Sequence, residues 1–490
     1  MNNLVQLDNS NINPLQEIQK RFSLINLSGE IHVIDNQEVQ ELKQGKTKEI
    51  NFYKFKDAKI LMERILQTLP VASKINTTFT QFTADNNTIL YKKLAFSPRH
   101  TALDVLNCWV GPTLDAKESQ WDHLHHFLHE IICDRNDDAY NYLINYLAHA
   151  IQKPQEKPGV AIVFLSDSGC GKGTFYTLLN KIWGQSSIEV NDVKHIIGNF
   201  NAALQNNYIV FMDEALFKGN HEGMERLKNL ITEKTIRVEK KYVQAYDIDS
   251  FHRFFAASNS EHFAHIPVDD RRFCFYRVSN QYKQNLEYFD QLHHILEHGE
   301  EVVGFLHYLA NLDISRFNPK QRIITQEHIE QRIQSLKGFE RFWYEALQNH
   351  GFYLSSALYG VIRNDLTEWE ETPFFVATET LLLSYSQYDK KAQRYESIQS
   401  QQIAKMINKL CPHAKPTKQK PSQHEKEKRG YQLPGLLNAR QCFESYFKCN
   451  IEWMNKTEIE LRLEELEKER MEELSQEEML DAYYESLEER

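Results

Sequence analysis

The run FLSDSGCGKGTF, Phe164–Phe175, has the residue types of a phosphate-binding turn but departs twice from G-x-x-x-x-G-K-[ST]. Ser166 stands where the first glycine belongs, and Gly173 stands where a hydroxyl residue should follow Lys172. Such a turn works by aiming backbone N–H groups and a helix N-terminus at anionic oxygens. Ser168, Gly169, Cys170, Gly171, Lys172, Gly173 and Thr174 would wrap the phosphates, with Gly169 and Gly171 permitting close approach. Lys172 brings charge to the terminal phosphates. The hydroxyl for Mg²⁺ falls to Thr174, one residue late; G-K-G-T also occurs in nucleotide kinases. Asp167 is anomalous, because a carboxylate beside phosphates repels them unless it turns away.

A second apolar run, NYIVFMDEA (Asn207–Ala215), ends in Asp213 and Glu214. In that position the first acid holds Mg²⁺, usually through water, and the second activates the attacking water. A third, FHRFFAASNS, closes on Asn259, whose amide can bond a terminal phosphate and the lytic water. PVDDRRF follows, with Arg271 and Arg272 placed to stabilise transition-state charge at a neighbouring subunit. Taken singly, each has a bland alternative: surface acids, a turn asparagine, surface ion pairs. Their order and spacing favour ATP with Mg²⁺.

Elements must hold these residues in place. VAIVFL, before the glycines, is a short continuous apolar run and reads as a buried parallel strand. TFYTLLNKIWG, after them, reads as a helix ended by Gly184. With the two later strands and FCFYRV, the pattern predicts an α/β fold built on a parallel sheet.

Around this core the texture changes. Residues 1–95 form an α+β region of unknown role, with a turn and strand at SGEIHVID and an amphipathic helix at KDAKILMERILQTLP. No paired-carboxylate strand of a polymerase-type primase stands out there. Residues 96–158 are a largely helical lead-in. Its histidines His123, His125, His126 and His129 lack the acidic partner of a metal helix and read as parts of a helical bundle with Leu124, Phe127, Leu128, Ile131 and Ile132 in its core. The core spans 159–330, and a separate small domain 335–455. The tail, 457–490, is an acidic helix with fourteen acidic against four basic residues, so the net charge of −11 resides mostly there. The body is near neutral, and a nucleic-acid partner is not excluded. Seven scattered cysteines without a C-x-x-C pair predict free thiols and no zinc ribbon. No run approaches membrane-spanning length and the polar N-terminus is no signal peptide, so a cytoplasmic protein is expected.

Together SDSGCGKGTF, YIVFMDEA, ITEKTIRVEKKYVQAYDIDSFHRF, FFAASN and DDRRF resemble the superfamily 3 helicase ATPases, in the branch of phage and plasmid primase-helicases and parvovirus-type NTPases within the AAA+ class. The resemblance covers about Gly159 to Ser279. NYLINYLAHAIQKP resembles that branch's helical collar, and YQLPGLLNARQCFESYFKCNIEW its C-terminal region. It implies an AAA+-like P-loop core, a hexameric ring with ATP between subunits, and Arg271 or Arg272 acting in trans. It also implies a hairpin in the ring channel, with Lys240 and Lys241 gripping DNA phosphates and Tyr242 stacking on a base; a solvated basic hairpin is the alternative. Ile403–Arg429 resembles a winged helix with a basic wing carrying Lys405, Lys409, Lys415, Lys418, Lys420, Lys426, Lys428 and Arg429; a disordered basic loop is the other reading. The expected function is an ATP-dependent, ring-forming helicase on single-stranded and origin or fork DNA in phage or mobile-element replication, working with a primase or other replication proteins. A P-loop nucleotide kinase and an ATP-assembled initiator without unwinding activity are the rivals.

Overall fold

The computed structural model describes residues 12–47, 49–71, 73–199, 201–215, 220–240, 243–260, 262–352, 368–388, 400–420 and 426–455. The chain divides into two compact units, residues 1–331 and 332–490.

The first unit opens with an α+β module. Helix α1 (Pro14–Arg21) starts at Asn13, whose side chain accepts from the Leu15 N–H, with proline at its first position. Strands β1 (Phe22–Leu27) and β2 (Glu30–Asp35) pair antiparallel around the Ser28–Gly29 turn, both of whose residues have positive φ. Helices α2 (Asn36–Lys43), α3 (Phe55–Thr68) and α4 (Ile75–Ala84) follow, and β3 (Leu90–Tyr91) adds parallel to β1. Ile18, Phe22, Val33, Met62 and Phe82 form the module's own core. Strand β4 (Lys93–Ala95) pairs in parallel with β5 (Val105–Asn107), so the stretch around residue 95 lies inside one continuous piece of structure.

Helix α5 (Asp122–His126) runs directly into a π-helical turn, Phe127–Ile132, and α6 (Asp137–Gln152) follows. The predicted core residues Leu124, Phe127, Leu128, Ile131 and Ile132 are buried. The π-turn itself has no sequence signature.

The central sheet contains β6 (Ala161–Leu165), β7 (Ser187–Val190), β8 (Ile209–Met212), β11 (Arg253–Ser258) and β12 (Phe273–Arg277), with helix α7 (Lys172–Trp183) after β6 and α8 (His221–Thr232) after β8. Between α8 and β11, strands β9 (Thr235–Lys240) and β10 (Val243–Asp249) form a separate antiparallel hairpin. The sheet order is β12-β6-β11-β8-β7, with every pair parallel. β6, β8 and β11 are buried along their whole length, as strands covered on both faces must be. The edge strand β7, SIEV, is the one the sequence did not reveal: it is four residues long and half polar. Helices α9 (Leu286–His298) and α10 (Glu300–Asn311) follow β12.

In the second unit α11 (Gly338–Gln348), β13 (Phe374–Ala377), α12 (Thr378–Tyr388), α13 (Ser400–Leu410), β14 (Lys415–Gln419), β15 (Lys428–Leu433) and α14 (Leu436–Phe447) surround Trp343 and Trp369. The sheet order is β13-β15-β14, all antiparallel. Gly430 is obligatory in it, since a Cβ there would sit 2.1 Å from the Val376 carbonyl oxygen. The 457–490 tail lies outside the described residues. Among the described residues no helix is long and apolar enough to cross a membrane.

A cationic cluster is buried at the start of β11. Arg253 is fully buried; its Nη2 lies 3.1 Å from His149 Nδ1 and donates to the Lys153 carbonyl at 3.3 Å, and its guanidinium lies over the Tyr208 ring. His252 bridges Ser250 Oγ (2.9 Å) and the Leu204 carbonyl (2.8 Å). Lys157 Nζ donates to the Leu230 and Glu233 carbonyls. Burial, then the Lys157 charge, pushes the His252 imidazole down to about 3; burial, then Arg253, takes His149 down to about 4. Both folded values lie below the unfolded one, so the unfolded chain binds more protons and stability falls as pH drops from about 6.5 toward 4, on the order of 1.4 kcal/mol per unit for each imidazole. Denaturant titrations of the wild type and His252→Gln at pH 7.5, 6 and 4.5 should show a shallower loss in the variant; parallel losses would contradict this account.

Candidate functional site

The parallel register places three strand ends side by side. Leu165, the last residue of β6, pairs with Ser258 of β11 and Arg277 of β12. The glycine loop therefore leaves the sheet beside Asn259. Lys172 is 7% exposed, and its ammonium lies within reach of four acceptors: the Ser166 carbonyl (3.0 Å), Ser166 Oγ (2.7 Å), the Asp167 carbonyl (2.7 Å) and Asn259 Oδ1 (2.8 Å). Burial lowers the pKa of Lys172, while Cys170, Asp213, Asp167 and Glu214 pull it back up. The structure thus brings together Lys172, Asn259, Asp213 and Glu214, on the loop and the ends of β11 and β8.

Ser166 has a role here: a glycine in its place would leave the ammonium one acceptor short. Asp167 does turn away. Its carboxylate pairs with Lys283 at 2.7 Å, which holds it below the usual carboxylate range. The segment that carries Lys283 covers the loop tip, with the Gln284 N–H donating to the Gly169 carbonyl (3.0 Å) and Cys170 Sγ 3.0 Å from Asn280 Oδ1. None of these covering residues has a motif that would have marked it.

Gly171, at φ +102°, begins α7 with no side-chain cap, which leaves the helix N-terminus open to an anion. A Cβ at 171 would lie 3.0 Å from Phe289 and 3.1 Å from Phe127, so the close packing as well as the dihedral demands glycine. Gly173 faces open space. Thr174 is buried, its Oγ1 3.4 Å from His293 Nε2. Beside the loop, α5 and α9 enclose a cavity of about 150 Å³ lined by Asp122, His123, His126, Tyr288, Gln291 and Leu292 among others. Tyr288 stacks on Tyr282 with centroids 4.0 Å apart, and His126 meets both rings edge-on. The sequence placed His126 in a bundle; the π-turn that follows it accompanies this different setting.

Glu214 has φ +50°, the left-handed region that costs a non-glycine residue about 1–2 kcal/mol. Both neighbours are pinned: the Asp213 N–H donates to the Val190 carbonyl (3.0 Å) and the Ala215 N–H to the Ala257 carbonyl (2.8 Å). The surrounding sheet thus over-determines an exposed carboxylate at a strand end, as functional sites do.

Other expected residues lie elsewhere. Phe273 pairs with Ala161 and the Arg272 carbonyl accepts from the Ala161 N–H, so Arg271 and Arg272 sit at the opposite end of β6 from the loop, about 17 Å away at 3.3 Å per residue. Asp270 holds their turn through its Oδ2, which accepts from the N–H groups of Arg272 and Phe273. Arg271 is exposed, and Arg272 Nε is buried without a hydrogen-bond partner among the described residues. Neither arginine can serve its own chain's loop. Lys240 is half-buried over the Phe52 ring, 5.3 Å from its centroid, while Lys241 and Tyr242 lie outside the described residues. His125 stacks on His129, and His129 contacts Glu130 and Asp137, each at 2.9 Å; no cluster among the described residues could hold a metal ion. In the second unit β14 and β15 form a hairpin whose Lys415, Lys418, Lys420, Lys426 and Arg429 are exposed, as is Lys405 on α13. Lys409 is tied to Glu340 at 2.7 Å, and Lys428 lies 3.6 Å from Glu379. The cysteines are free thiols.

Comparison with known proteins places this geometry. Residues 164–272 match a family of unknown function (DUF5906). The chain is 27% identical over 267 residues to the DNA primase-polymerase of Nitratiruptor phage NrS-1, covering 51% of this chain and 36% of that one, so it spans about a third of that relative's length. Among solved structures it is similar to the apo C-terminal region of NrS-1, in one case with a TM-score of 0.60 at 19% identity and in another with 0.57 at 17%. Each covers 86% of this chain and all of that one. The chain therefore has the mixed α/β fold, with a parallel sheet, of the C-terminal region of a phage primase-polymerase.

Proposed function

We propose that the chain is an ATP-driven, ring-forming DNA helicase of phage or mobile-element replication, with an AAA+-like P-loop core. The observation that carries the reading is the Lys172–Asn259 contact at 2.8 Å, made between a glycine loop and the end of the neighbouring parallel strand, with Asp213 and Glu214 at the end of the next. The sheet order supports it: the loop strand and the Asp-Glu strand are separated by the Asn259 strand, as a site reading phosphate from both sides needs. Similarity to a primase-polymerase of phage NrS-1 supports the replication setting.

In this reading the loop N–H groups and α7 N-terminus bind the phosphates of ATP, and Lys172 leaves its four acceptors for the terminal phosphate. Asn259 follows the same phosphate, and Glu214, held in its strained backbone, takes the proton of the attacking water. Asp213, with Thr174 released from His293, would hold Mg²⁺, which neutralises phosphate charge. The cavity lined by Asp122, His126, Tyr288 and Leu292 receives the base. Arg271 and Arg272, remote from their own loop, serve the next subunit of a homo-oligomeric ring, where an arginine contributes roughly 10³-fold. The exposed lysines of β14 and Arg429 of β15 contact duplex DNA at the origin or fork.

Lys172→Ala and Glu214→Gln should each lower single-strand-stimulated ATP turnover at least about a hundredfold, with folding intact by melting temperature. Turnover at wild-type level in either would refute the assignment. Phosphorylation of a nucleoside monophosphate without DNA would point instead to a kinase, and turnover without strand separation to an assembly factor.

Subunit mixing tests the arginines. The double variant Arg271→Ala/Arg272→Ala and Lys172→Ala, each inactive alone, should regain measurable ATPase when co-assembled, because a mixed interface pairs an intact loop with intact arginines. No recovery in verified mixed assemblies would exclude action in trans.

A further inference from the structure

The β9–β10 hairpin is held at two levels. Along its strands, the Asn201 side chain donates to the Arg237 carbonyl (2.9 Å) and accepts from the Glu239 N–H (3.0 Å), and the Tyr246 hydroxyl donates to Gln205 Oε1. These contacts come from the core's own chain just before β8. The second level comes from the N-terminal module. Ser28 Oγ donates to the Ala245 carbonyl at 3.1 Å. Phe52 meets Tyr246 edge-on (centroids 6.5 Å apart, 79°) and lies beneath the Lys240 ammonium, and on its other side it meets His32 edge-on. Lys240 is buried enough that its pKa is lowered, with the Glu49 carboxylate countering the shift. The Ser28–Gly29 turn, with φ of +53° and +95° and the Gly29 N–H bound to Asn26 Oδ1 at 2.8 Å, is built to project.

Nothing in the nucleotide site explains these contacts. An α+β module with its own core reaches 217 residues along the sequence to grip the hairpin next to its turn. We infer that the N-terminal module is a positioning clamp for this hairpin, with Phe52 and Ser28 the residues that hold Lys240 and Ala245 in place, and that it thereby sets how the hairpin meets a single DNA strand. The DNA part rests on the helicase reading above; the clamp itself does not. Phe52 is a positioning residue: it acts through Lys240 and Tyr246 and touches neither nucleotide nor phosphate loop.

The test uses the full chain with Phe52→Ala, the exposed and structurally mild Ser28→Ala, and Phe52→Trp as the conservative control. Two readouts are followed. Hydrogen exchange of the amides in 236–248 reports the clamp directly. ATP turnover titrated with oligo(dT) reports its use. Both alanine variants should exchange faster in the hairpin with unchanged protection of β6 and β8. In Phe52→Ala the oligo(dT) needed for half-maximal stimulation should rise about five- to tenfold, for the loss of the Lys240 ring–cation and the Tyr246 ring–ring contact. Turnover without DNA should stay at wild-type level, and Phe52→Trp should restore the DNA response. Unchanged hairpin exchange in both alanine variants would overturn the clamp. Faster exchange with an unaltered oligo(dT) requirement would overturn its role toward DNA. A wild type that hydrolyses ATP with no response to oligo(dT) would also overturn that role, and would place the failure in the helicase reading while the exchange data still decide the clamp.

Discussion

The arrangement depends on the parallel register of β6 between β11 and β12. Because Leu165 is level with both Ser258 and Arg277, the chain leaves the sheet at one edge in three adjacent places. The loop, Asn259 and the loop-covering segment after β12 are all consequences of that register. A one-residue slip of β6 would turn its side chains to the other face and move Lys172 away from Asn259. Packing on both faces is what fixes it: every residue of β6 and β11 is buried, so a slip would set each side chain against the wrong neighbours.

Lys172 and Arg253 are both buried in this core against neutral partners. Lys172 is met by two carbonyls, a hydroxyl and an amide; Arg253 by a carbonyl, an imidazole and an aromatic face. Neutral acceptors offset desolvation less completely than a carboxylate, which leaves the lysine charge available to a stronger anion. At the other end of the sheet Arg253 has no such opening and serves as a structural brace against α6. The same chemistry thus has two outcomes, decided by whether the surrounding backbone is an open loop or a packed strand.

Much of the site was legible because it follows short-range rules. A continuous apolar run, glycines and a lysine at the head of a helix determine β6, the loop and α7 together; apolar runs ending in Asp-Glu and Asn determine β8 and β11. The β9–β10 hairpin lay where the intervening sequence put it. What could not be read depends on contacts distant in sequence. Lys283 reaches Asp167 across 116 residues, and Phe289 and Phe127, far apart in the chain, both close on Gly171. β7 was hidden by its brevity at a sheet edge, and β14 by its lysines, which suit an exposed edge strand that must not pair with another chain. The π-turn after His126 likewise has no sequence signature.

The two departures in the loop have different physical standing. Ser166 strengthens the resting state, since its hydroxyl at 2.7 Å is among the nearest acceptors of Lys172 and its carbonyl is another. Gly173 does the reverse: it leaves open space after Lys172 and passes the hydroxyl to Thr174, which α9 occupies through His293. The lysine and the hydroxyl are therefore both engaged by protein groups, one by the loop and Asn259 and the other by a helix beyond β12. An anion arriving at the α7 N-terminus competes with both, and His293 lies on the same helix as Phe289 and as Tyr288 of the flanking cavity. That helix is therefore the shared neighbour of the loop, the hydroxyl and the cavity.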